Sequence, residues 1–371
     1  MIIELHAIQS FGPSNLNRDD TGNPKEAIFG GVRRARISSQ AAKRAMRVSD
    51  VFKRAVRVPT GSRTKLLIKQ IIDRATRADV DEGTATAYAS DVVAKLYAKP
   101  DKREQQKTNV LVYISESEIE QMVNYLLSAL KQGNQPDVTE LVKTLSKQLK
   151  DRTSAPDIAL FGRMLADNPT LNIDAACQVA HALSTHEVNT AEFDYFTAVD
   201  DLQPDDTSGA GMLGLVAFNA ATYYRCARID WEQLVNNLDG DRELALNTVK
   251  GFMQAFALVV PSGMKNSFVN QYAPDFLLAV LRPDNDGQSL VNAFEQPVRA
   301  ERGSGYVKPS IEALATYWEQ VDRAYRLGEN DPVIAVLNPR GYPLPSDELS
   351  QAMQPTLRDW VDVVVSGLHA E

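Results

Sequence analysis

The chain of 371 residues contains little cysteine and no long apolar run. Its two cysteines, Cys177 and Cys226, are too few for a disulfide framework and suit a reducing compartment. The longest apolar run, 255–260, has six residues, whereas a membrane helix needs roughly 20. The first ten residues carry neither a basic leader nor an apolar segment of signal length. We therefore expect a cytoplasmic protein with no membrane segment.

Enzyme and metal motifs are missing as well. The chain has no Walker-type glycine loop, no G-x-S-x-G elbow, and neither C-x-x-C nor H-E-x-x-H. Cys177, His181 and His186 are close in sequence, but only Cys177 and His181 share a face of the helix that we predict over 172–184. Packed or capping histidines are therefore the favoured interpretation. We expect neither a metal nor a cofactor.

An excess of positive charge, common in nucleic-acid-binding proteins, is also missing, because the net charge is -8 at pH 7. One window reverses this balance. From Arg33 to Arg57 the chain carries nine Lys or Arg and a single acid, Asp50. So local a reversal indicates a surface that binds a polyanion. The alternative is a solvated basic face that pairs with acids elsewhere in the protein.

The same window predicts a turn, a strand and a helix. Gly30-Gly31 opens a turn, 33–37 runs extended, and Ser38-Ser39 provides an N-cap, so a helix should begin near Gln40. Apolar residues then repeat at helical spacing, which predicts a packed face. The residues of this face are Ala41, Ala45, Val48, Phe52 and Ala55.

Another face of this predicted helix carries Lys43 and Arg47, with Arg44 beside them. These side chains follow directly on the backbone N–H groups of 38–40, which lie at the positive end of the helix dipole. We therefore expect an anion site at the start of the helix, with the three basic side chains holding phosphates just beyond it.

Apolar patterns along the rest of the chain predict an α+β fold. Residues 3–7 alternate in the manner of a strand with one buried face, with Glu4 and His6 on the other face. The patterns turn helical over 59–186, which we predict to be an insertion, the fingers, in a palm made of 1–58 and 187–371. Within the palm we expect a helix after Asp241, a strand at 276–282, and helices from Pro309 and Pro355, the order of a split βαβ unit.

Residues 194–217 are the least regular segment. Between Phe196 and Met212 they hold four aspartates and two glycines. Such a run buries too little apolar surface to fold alone, so we predict a projecting hairpin or long loop, the thumb, which packs on a partner surface.

A second basic stripe lies on a helix predicted over 137–150. Its apolar positions face inward, while Lys143, Lys147 and Lys150 repeat on the outside at helical spacing. A lysine stripe is usually a solubilising face. Because lysine acts as a point charge on phosphate, the alternative is a clamp for a second nucleic-acid strand.

Several of these stretches carry a resemblance to a known family. The block from Asn17 to Arg47 contains Asn-Arg-Asp-Asp, Ile-Phe-Gly-Gly, Arg-Ile-Ser-Ser-Gln and Lys-Arg-Ala-Met-Arg. It resembles the N-terminal signature of the backbone subunit of the type I-E CRISPR Cascade complex, the CasC family. Further stretches follow in the family's order, whereas 59–137 matches poorly. These stretches lie at 157–164, 180–186, 196–202, 292–294 and 309–311.

The resemblance implies an RRM-like (ferredoxin-like) palm and a protein that is not an enzyme. Such a subunit polymerises head-to-tail along a CRISPR guide RNA and presents it for pairing with target double-stranded DNA. Its partners would be the guide RNA, copies of itself, other Cascade subunits and the target DNA.

Individual positions follow from the same match. The residues implied to contact guide RNA are Asn17, Arg18, Ser38, Gln40, Lys43, Arg44, Arg47, Arg163, Met164, Phe196 and Lys265. The lysine stripe at Lys143, Lys147 and Lys150 becomes the candidate for target DNA. The thumb would reach onto the neighbouring subunit, with Phe196 as a candidate wedge between guide bases.

The alternative function is a metal-dependent ribonuclease. Adjacent carboxylates such as Asp200 and Asp201 can hold Mg²⁺ for phosphodiester cleavage. Neither has a positioned general base in the sequence, so we favour the RNA-binding subunit.

Overall fold

A computed structural model of the chain describes residues 1–165, 167–189, 192–198, 212–283, 287–300, 303, 305–326 and 331–369. These residues form the α+β fold that the sequence predicts. The strands are β1 (Ile2–Ser14), β2 (Glu26–Phe29), β3 (Val32–Ile37), β4 (Ser62–Thr64), β5 (Val112–Ile114), β6 (Cys177–Val179), β7 (Ala182–Ser184), β8 (Glu192–Ala198), β9 (Met212–Asp230), β10 (Phe276–Arg282) and β11 (Val333–Leu337).

Helices make up most of the remaining regular structure. They are α1 (Ser39–Val48), α2 (Asp50–Val56), α3 (Leu67–Arg77), α4 (Glu82–Leu96), α5 (Glu116–Lys131), α6 (Val138–Gln148), α7 (Pro156–Phe161), α8 (Trp231–Asn237), α9 (Arg242–Leu258), α10 (Val307–Tyr325), α11 (Asp347–Gln351) and α12 (Leu357–His369). None of the helices in the described ranges is long and apolar enough to cross a membrane. The predicted elements after Asp241, at 276–282, from Pro309 and from Pro355 are confirmed as α9, β10, α10 and α12.

The main sheet has the strand order β11-β10-β1-β9-β7-β3-β2. Strands β1 and β10 pair antiparallel, with Ile2 opposite Arg282 and Ile8 opposite Phe276. Helix α10 packs Ile311, Leu314 and Trp318 into one core with strands β1, β9, β10 and β11. Helix α12 lies on β11, where its Trp360 indole N–H donates to the Ala335 carbonyl oxygen. The central strands are therefore covered on both faces.

Strand β1 is confirmed, but the prediction that only one of its faces is buried is wrong. Glu4 and His6 are both buried, because α10 covers their face of the sheet. The charge of Glu4 is balanced inside the core. Arg282 donates from Nε to Glu4 Oε1 (2.8 Å) and from Nη1 to Asp322 Oδ1 of α10 (2.6 Å). A strand can thus alternate polar and apolar residues while both faces stay dry, if the polar face forms ion pairs.

The contacts divide the chain into two compact units, one of 1–52, 179–228 and 252–371, and one of 53–178 and 229–251. The second unit has a core of its own, to which α3, α4, α5 and α6 contribute apolar side chains such as Ile71, Val92 and Leu126. The run Ser115-Glu-Ser-Glu118 predicts a capping box, which is confirmed at the start of α5. The palm and finger boundaries at 58/59 and 186/187 stay a prediction.

The helix predicted over 172–184 is wrong. Residues 177–179 and 182–184 are the strands β6 and β7. Strand β7 lies between β3 and β9, pairing Leu183 with Arg36 on one side and with Tyr224 on the other. Pairing with two neighbouring strands satisfies the backbone of this stretch and overrides its weak helical periodicity. Cys177 and His181 therefore do not share a helix face.

Candidate nucleic-acid interface

The turn at Gly30-Gly31 joins β2 and β3 and sets the register of the hairpin. Both glycines have left-handed backbone angles, φ 60° and 78°, as a two-residue turn between antiparallel strands requires. Gly30 also has no room for a side chain, since a Cβ there would lie 1.7 Å from the Glu295 carbonyl oxygen. The predicted turn and the extended run after it are both confirmed.

Arg34 does not belong to the basic surface that its sequence window suggests. The residue is fully buried, and its guanidinium donates to the carbonyl oxygens of Ser184 (3.0 Å) and Phe294 (2.7 Å). Burial lowers the pKa of Arg34 from its usual range, which Glu187 and Glu295 partly offset. Arg34 therefore fastens β3 to two distant segments, and the other basic residues of the window carry the surface charge.

Helix α1 begins as predicted, with Ser38 as its N-cap and the Ala41 N–H donating to Ser38 Oγ (3.3 Å). The expected anion site formed by vacant N–H groups is not found, however. The Ser38 N–H donates to Asn17 Oδ1 (2.8 Å), and the Ser39 N–H donates to Nδ1 of His181 (3.0 Å). Side chains from two other segments thus accept hydrogen bonds from the backbone N–H groups at the start of α1. Asn17 holds the N-cap residue in place.

The imidazole of His181 must be neutral to accept this hydrogen bond. Burial, and then the positive charges of Arg36 and Lys25, lower its pKa. The neighbouring cations thus favour the neutral imidazole, which can accept the hydrogen bond from the Ser39 N–H.

The predicted packing face is confirmed at Phe52, which is buried, but is wrong for Ala41, Ala45 and Val48. The chain breaks at Ser49, the C-cap of α1, and continues as the separate helix α2. Met46 is the buried residue of α1, whereas Val48 is 41% exposed. Ala41, Ala45 and Val48 instead line an open groove, because the sheet meets the helix on the Met46 side.

This groove brings together three segments that lie far apart in sequence. It encloses about 230 Å³. Its lining comes from Leu16, from Ala41, Arg44, Ala45 and Val48 of α1, and from Val260, Pro261, Ser262 and Gly263. Gly263 packs so closely that a Cβ there would lie 2.3 Å from the Leu16 carbonyl oxygen. Close packing therefore fixes the 260–263 loop beside the start of the loop that carries Asn17 and Arg18.

Among the predicted contact residues, Arg44 lines this groove. Gln40, Arg44, Arg18 and Lys265 are exposed, and Lys43 and Arg47 are partly exposed. Lys265 follows the groove loop directly, in a turn where the Phe268 N–H donates to the Met264 carbonyl oxygen. Arg44 therefore borders the apolar channel and Lys265 follows the loop that lines it, whereas Lys43 and Arg47 lie on another face of α1.

A second depression, of mixed charge, was not predicted from the sequence. It encloses about 520 Å³, and Lys25, Arg33, Arg36 and Phe193 line it together with Asp19, Asp20, Asn23, Pro24 and Glu26. The register of the β2–β3 hairpin indicates that Lys25 and Arg36 lie side by side, because they are equally far in sequence from the Gly30-Gly31 turn. Their backbones are joined by a hydrogen bond from the Arg36 N–H to the Lys25 carbonyl oxygen (2.8 Å).

The predicted thumb is a β-hairpin in its described part. Strand β8 pairs antiparallel with the first part of β9, from Glu192 opposite Phe218 to Ala198 opposite Met212. Large apolar side chains remain exposed on it, with Tyr195 at 73%, Leu215 at 53% and Phe196 at 44%. Asp200 and Asp201, the carboxylates of the ribonuclease hypothesis, lie outside the described residues. Among the described ranges, no group of three or more His, Cys, Asp or Glu side chains could hold a metal ion.

Arg163 and Met164 have opposite environments. The Arg163 side chain is buried and donates to Glu118 Oε1 (2.5 Å) and to the Leu171 carbonyl oxygen (3.0 Å). Met164 is 86% exposed. A buried guanidinium presents no donor to RNA, so the direct contact implied for Arg163 is replaced by a supporting role. The loop of Arg163 holds Met164 at the surface.

The lysine stripe lies where the sequence predicts it. Helix α6 buries Leu141 and Leu145 in the core of its unit, and Lys143, Lys147 and Lys150 are all exposed. Their function as DNA contacts stays a prediction.

Comparisons with known proteins agree with this architecture. The model of the CT1975-like protein family, Cas_CT1975, matches residues 3–362. Among solved structures, a chain of a CRISPR RNA-guided surveillance complex, pre-nicking, is similar with a TM-score of 0.84 and 28% identity, covering 99% of this chain and 100% of that one. A chain of a second CRISPR RNA-guided surveillance complex has a TM-score of 0.74 and 25% identity at the same coverage. No curated protein matches.

Fold and family together define a Cascade-type CRISPR protein. In particular, the chain belongs to the CT1975-like family, whose model spans nearly its whole length.

Proposed function

We propose that this chain is the RNA-binding backbone subunit of a Cascade surveillance complex, of type I-E as the sequence resemblance implies. Copies of it polymerise head-to-tail along a CRISPR guide RNA and, with other Cascade subunits, present the RNA to target double-stranded DNA. The similarity to chains of RNA-guided surveillance complexes supports this function. The subunit itself catalyses no reaction.

The groove beside α1 is the observation that carries the proposal. An apolar channel bordered by Arg44, on a helix that also carries Lys43 and Arg47 and beside a loop that continues to Lys265, combines the two features that a single strand of RNA needs. Basic side chains neutralise phosphates, and an apolar floor accepts sugars and bases without regard to sequence. Such a surface can hold any guide.

Ordered neighbours make this surface rigid. Asn17 holds the N-cap, His181 holds the next N–H of α1, and Gly263 packs against the segment before Asn17. Because these groups fix the backbone that carries the basic side chains before RNA arrives, less conformational entropy is lost on binding. In this scheme Asn17 and Ser38 order the site, while Arg18, Gln40 and the basic side chains touch the RNA.

The remaining predicted residues are not part of the lining of this groove. Met164, held out by the loop of Arg163, and Phe196 of the thumb contact guide bases. Lys143, Lys147 and Lys150 of α6 attract the phosphates of the target DNA. The thumb reaches the next copy, because a head-to-tail polymer offers each subunit the same heterologous surface.

The test is the salt dependence of RNA binding. Replacing Lys43, Arg44 and Arg47 together by Ala should weaken binding equally for unrelated guide sequences. It should also flatten the log–log salt slope by about 0.7 for each phosphate of a single strand that is no longer neutralised. The matched control removes three charges elsewhere, with Lys143, Lys147 and Lys150 changed to Ala, and should keep the wild-type slope.

Two results would contradict the proposal. An unchanged slope in the α1 variant would mean that its basic face is only a solvated surface. Co-purified RNA that shortens on addition of Mg²⁺, and is protected by Asp200→Asn or Asp201→Asn, would favour the ribonuclease.

A further inference from the structure

The described part of the chain buries four arginines, Arg34, Arg163, Arg225 and Arg282. Three of them have negative charge close by. Arg163 and Arg282 form ion pairs with buried carboxylates, and two glutamates offset the cost of burying Arg34. Arg225 differs, because no carboxylate of the described residues forms an ion pair with it. Its charge therefore requires a separate explanation.

Neutral groups hold the Arg225 guanidinium in place on strand β9. Its Nη1 donates to Gln9 Oε1 (2.5 Å), and its Nη2 donates to the Phe256 carbonyl oxygen (2.7 Å). The Gln9 amide is itself held, since its Nε2 donates to the Tyr272 carbonyl oxygen (2.6 Å). A guanidinium has five N–H groups. Two are used here, so the other N–H groups of Arg225 have no acceptor among the described residues.

Arg225 lines a small cavity on the buried side of α1. Ala42 and Met46 of α1 lie on one side of this cavity, and Val260 and Pro261 contribute to another. Arg225 is the charged residue of the lining, and the others are apolar or cysteine. The cavity encloses about 20 Å³, which is enough for a single group of about the size of a water molecule.

A lining of this kind favours a small anion. Burial lowers the pKa of Arg225 to about 10, so the guanidinium is still charged at pH 7. A buried charge is costly unless it is paired. Water can accept a hydrogen bond from the guanidinium but leaves its charge in place, whereas a halide ion accepts the bond and neutralises the charge. Phosphate and sulfate are too large for the cavity and would find few donors on its apolar walls.

We propose that Arg225 and this cavity form a buried binding site for one chloride ion. The ion neutralises the guanidinium and joins α1 to the 260–261 segment. Val260 and Pro261 line both this cavity and the groove beside α1, so chloride stabilises the groove from its inner side. The inference does not depend on the proposed function, because the stability of the chain without RNA reports it.

The experiment is urea denaturation of the full chain at several chloride concentrations, with sodium gluconate added to keep the ionic strength constant. Gluconate is too large for the cavity. The folding equilibrium constant should rise by about tenfold for each tenfold increase in chloride above its dissociation constant. Bromide should replace chloride in this assay, whereas fluoride, which holds its hydration shell tightly, should not.

A pair of variants tests whether the response belongs to Arg225. Arg225→Gln removes the buried charge, so its stability should not depend on chloride, whatever its value. The control is Arg323→Ala, which removes a charge from a side chain that is 78% exposed on α10. This variant should keep the wild-type response to chloride.

Crystals of the wild-type chain grown in bromide give a direct answer even if Arg225→Gln does not fold. An anomalous scattering peak is expected beside the Arg225 guanidinium. The absence of that peak would mean that the cavity holds water only, which would overturn the site. Equal stability in chloride and gluconate, or a chloride response that Arg225→Gln retains, would overturn it as well.

Discussion

Helix α1 carries three basic side chains, and helix α6 carries two with Lys150 just past its end, yet their surroundings differ. Arg44 of α1 borders an apolar groove built from several segments, and Lys43 and Arg47 lie on the same helix, whose N-cap is held by Asn17. Lys143, Lys147 and Lys150 extend from the outer side of a single helix and its C-terminal end. Similar spacing in sequence thus yields a shaped site in one region and a set of independent point charges in the other. A preformed groove favours a nucleic-acid strand that stays bound, whereas separate point charges favour a strand that is captured and released.

The largest expected effect on assembly comes from deleting part of the thumb, because neither α1 nor α6 can link one copy of the subunit to the next. Deleting 202–215 should leave a folded monomer whose α1 still binds RNA, because the described lining of the groove comes from residues 16, 41–48 and 260–263. Long RNA-bound polymers should no longer form, since the shortened thumb cannot reach the next copy. Electron microscopy and nuclease protection of the bound RNA would measure this. Full-length filaments with an unaltered protection period would contradict the role of the thumb.

The next effect, on the free energy of unfolding, distinguishes arginines that stabilise the fold from arginines that bind a ligand. Arg163→Ala leaves Glu118 buried without its ion-pair partner and should reduce the free energy of unfolding by about 3–5 kcal/mol. Arg44→Ala, at an exposed position, should stay within about 0.5 kcal/mol of wild type. Urea denaturation gives both values. A stable Arg163→Ala protein with impaired RNA binding would mean that Arg163 touches the RNA directly.

The third prediction concerns the lysine stripe, which the comparison with α1 assigns to the target DNA. With Lys143, Lys147 and Lys150 changed to Ala, guide-bound assembly should remain intact while capture of double-stranded DNA weakens. The salt slope for DNA should fall by about 0.9 for each phosphate that is no longer neutralised. Electrophoretic mobility at several salt concentrations would show it. Collapse of the assembly itself would mean that α6 serves the guide or the neighbouring subunit.

The smallest expected effect concerns pH. His181 has a lowered pKa in the folded protein, so its contribution to stability is present above the ordinary histidine value of 6.5 and declines as the pH falls below it. His186 shifts in the same direction, chiefly through burial. Comparing wild type with His181→Gln isolates His181, because the variant keeps an acceptor but cannot titrate. Its melting temperature should fall less between pH 7 and pH 5.5 than that of wild type, whereas equal slopes would show that the Ser39 hydrogen bond does not depend on charge.

Local features of the site were predictable from sequence, and nonlocal ones were not. The glycine turn, the Ser38 cap and the capping box of α5 depend on neighbours within a few residues, and all are confirmed. The burial of Arg34 depends on where β7 and the 294–295 segment lie. Periodicity alone cannot supply that information, and it assigned β7 to a helix for the same reason.

The burial of Arg34 has a practical consequence for chemical footprinting. Reagents that modify guanidinium groups need solvent access, so Arg34, fully buried among carbonyl oxygens, should stay unmodified with or without RNA. Arg33 is one residue away and exposed. Two adjacent arginines on one peptide would thus give an internal blank and an internal signal. A mass-spectrometric footprint could then be calibrated within a single fragment of the protein.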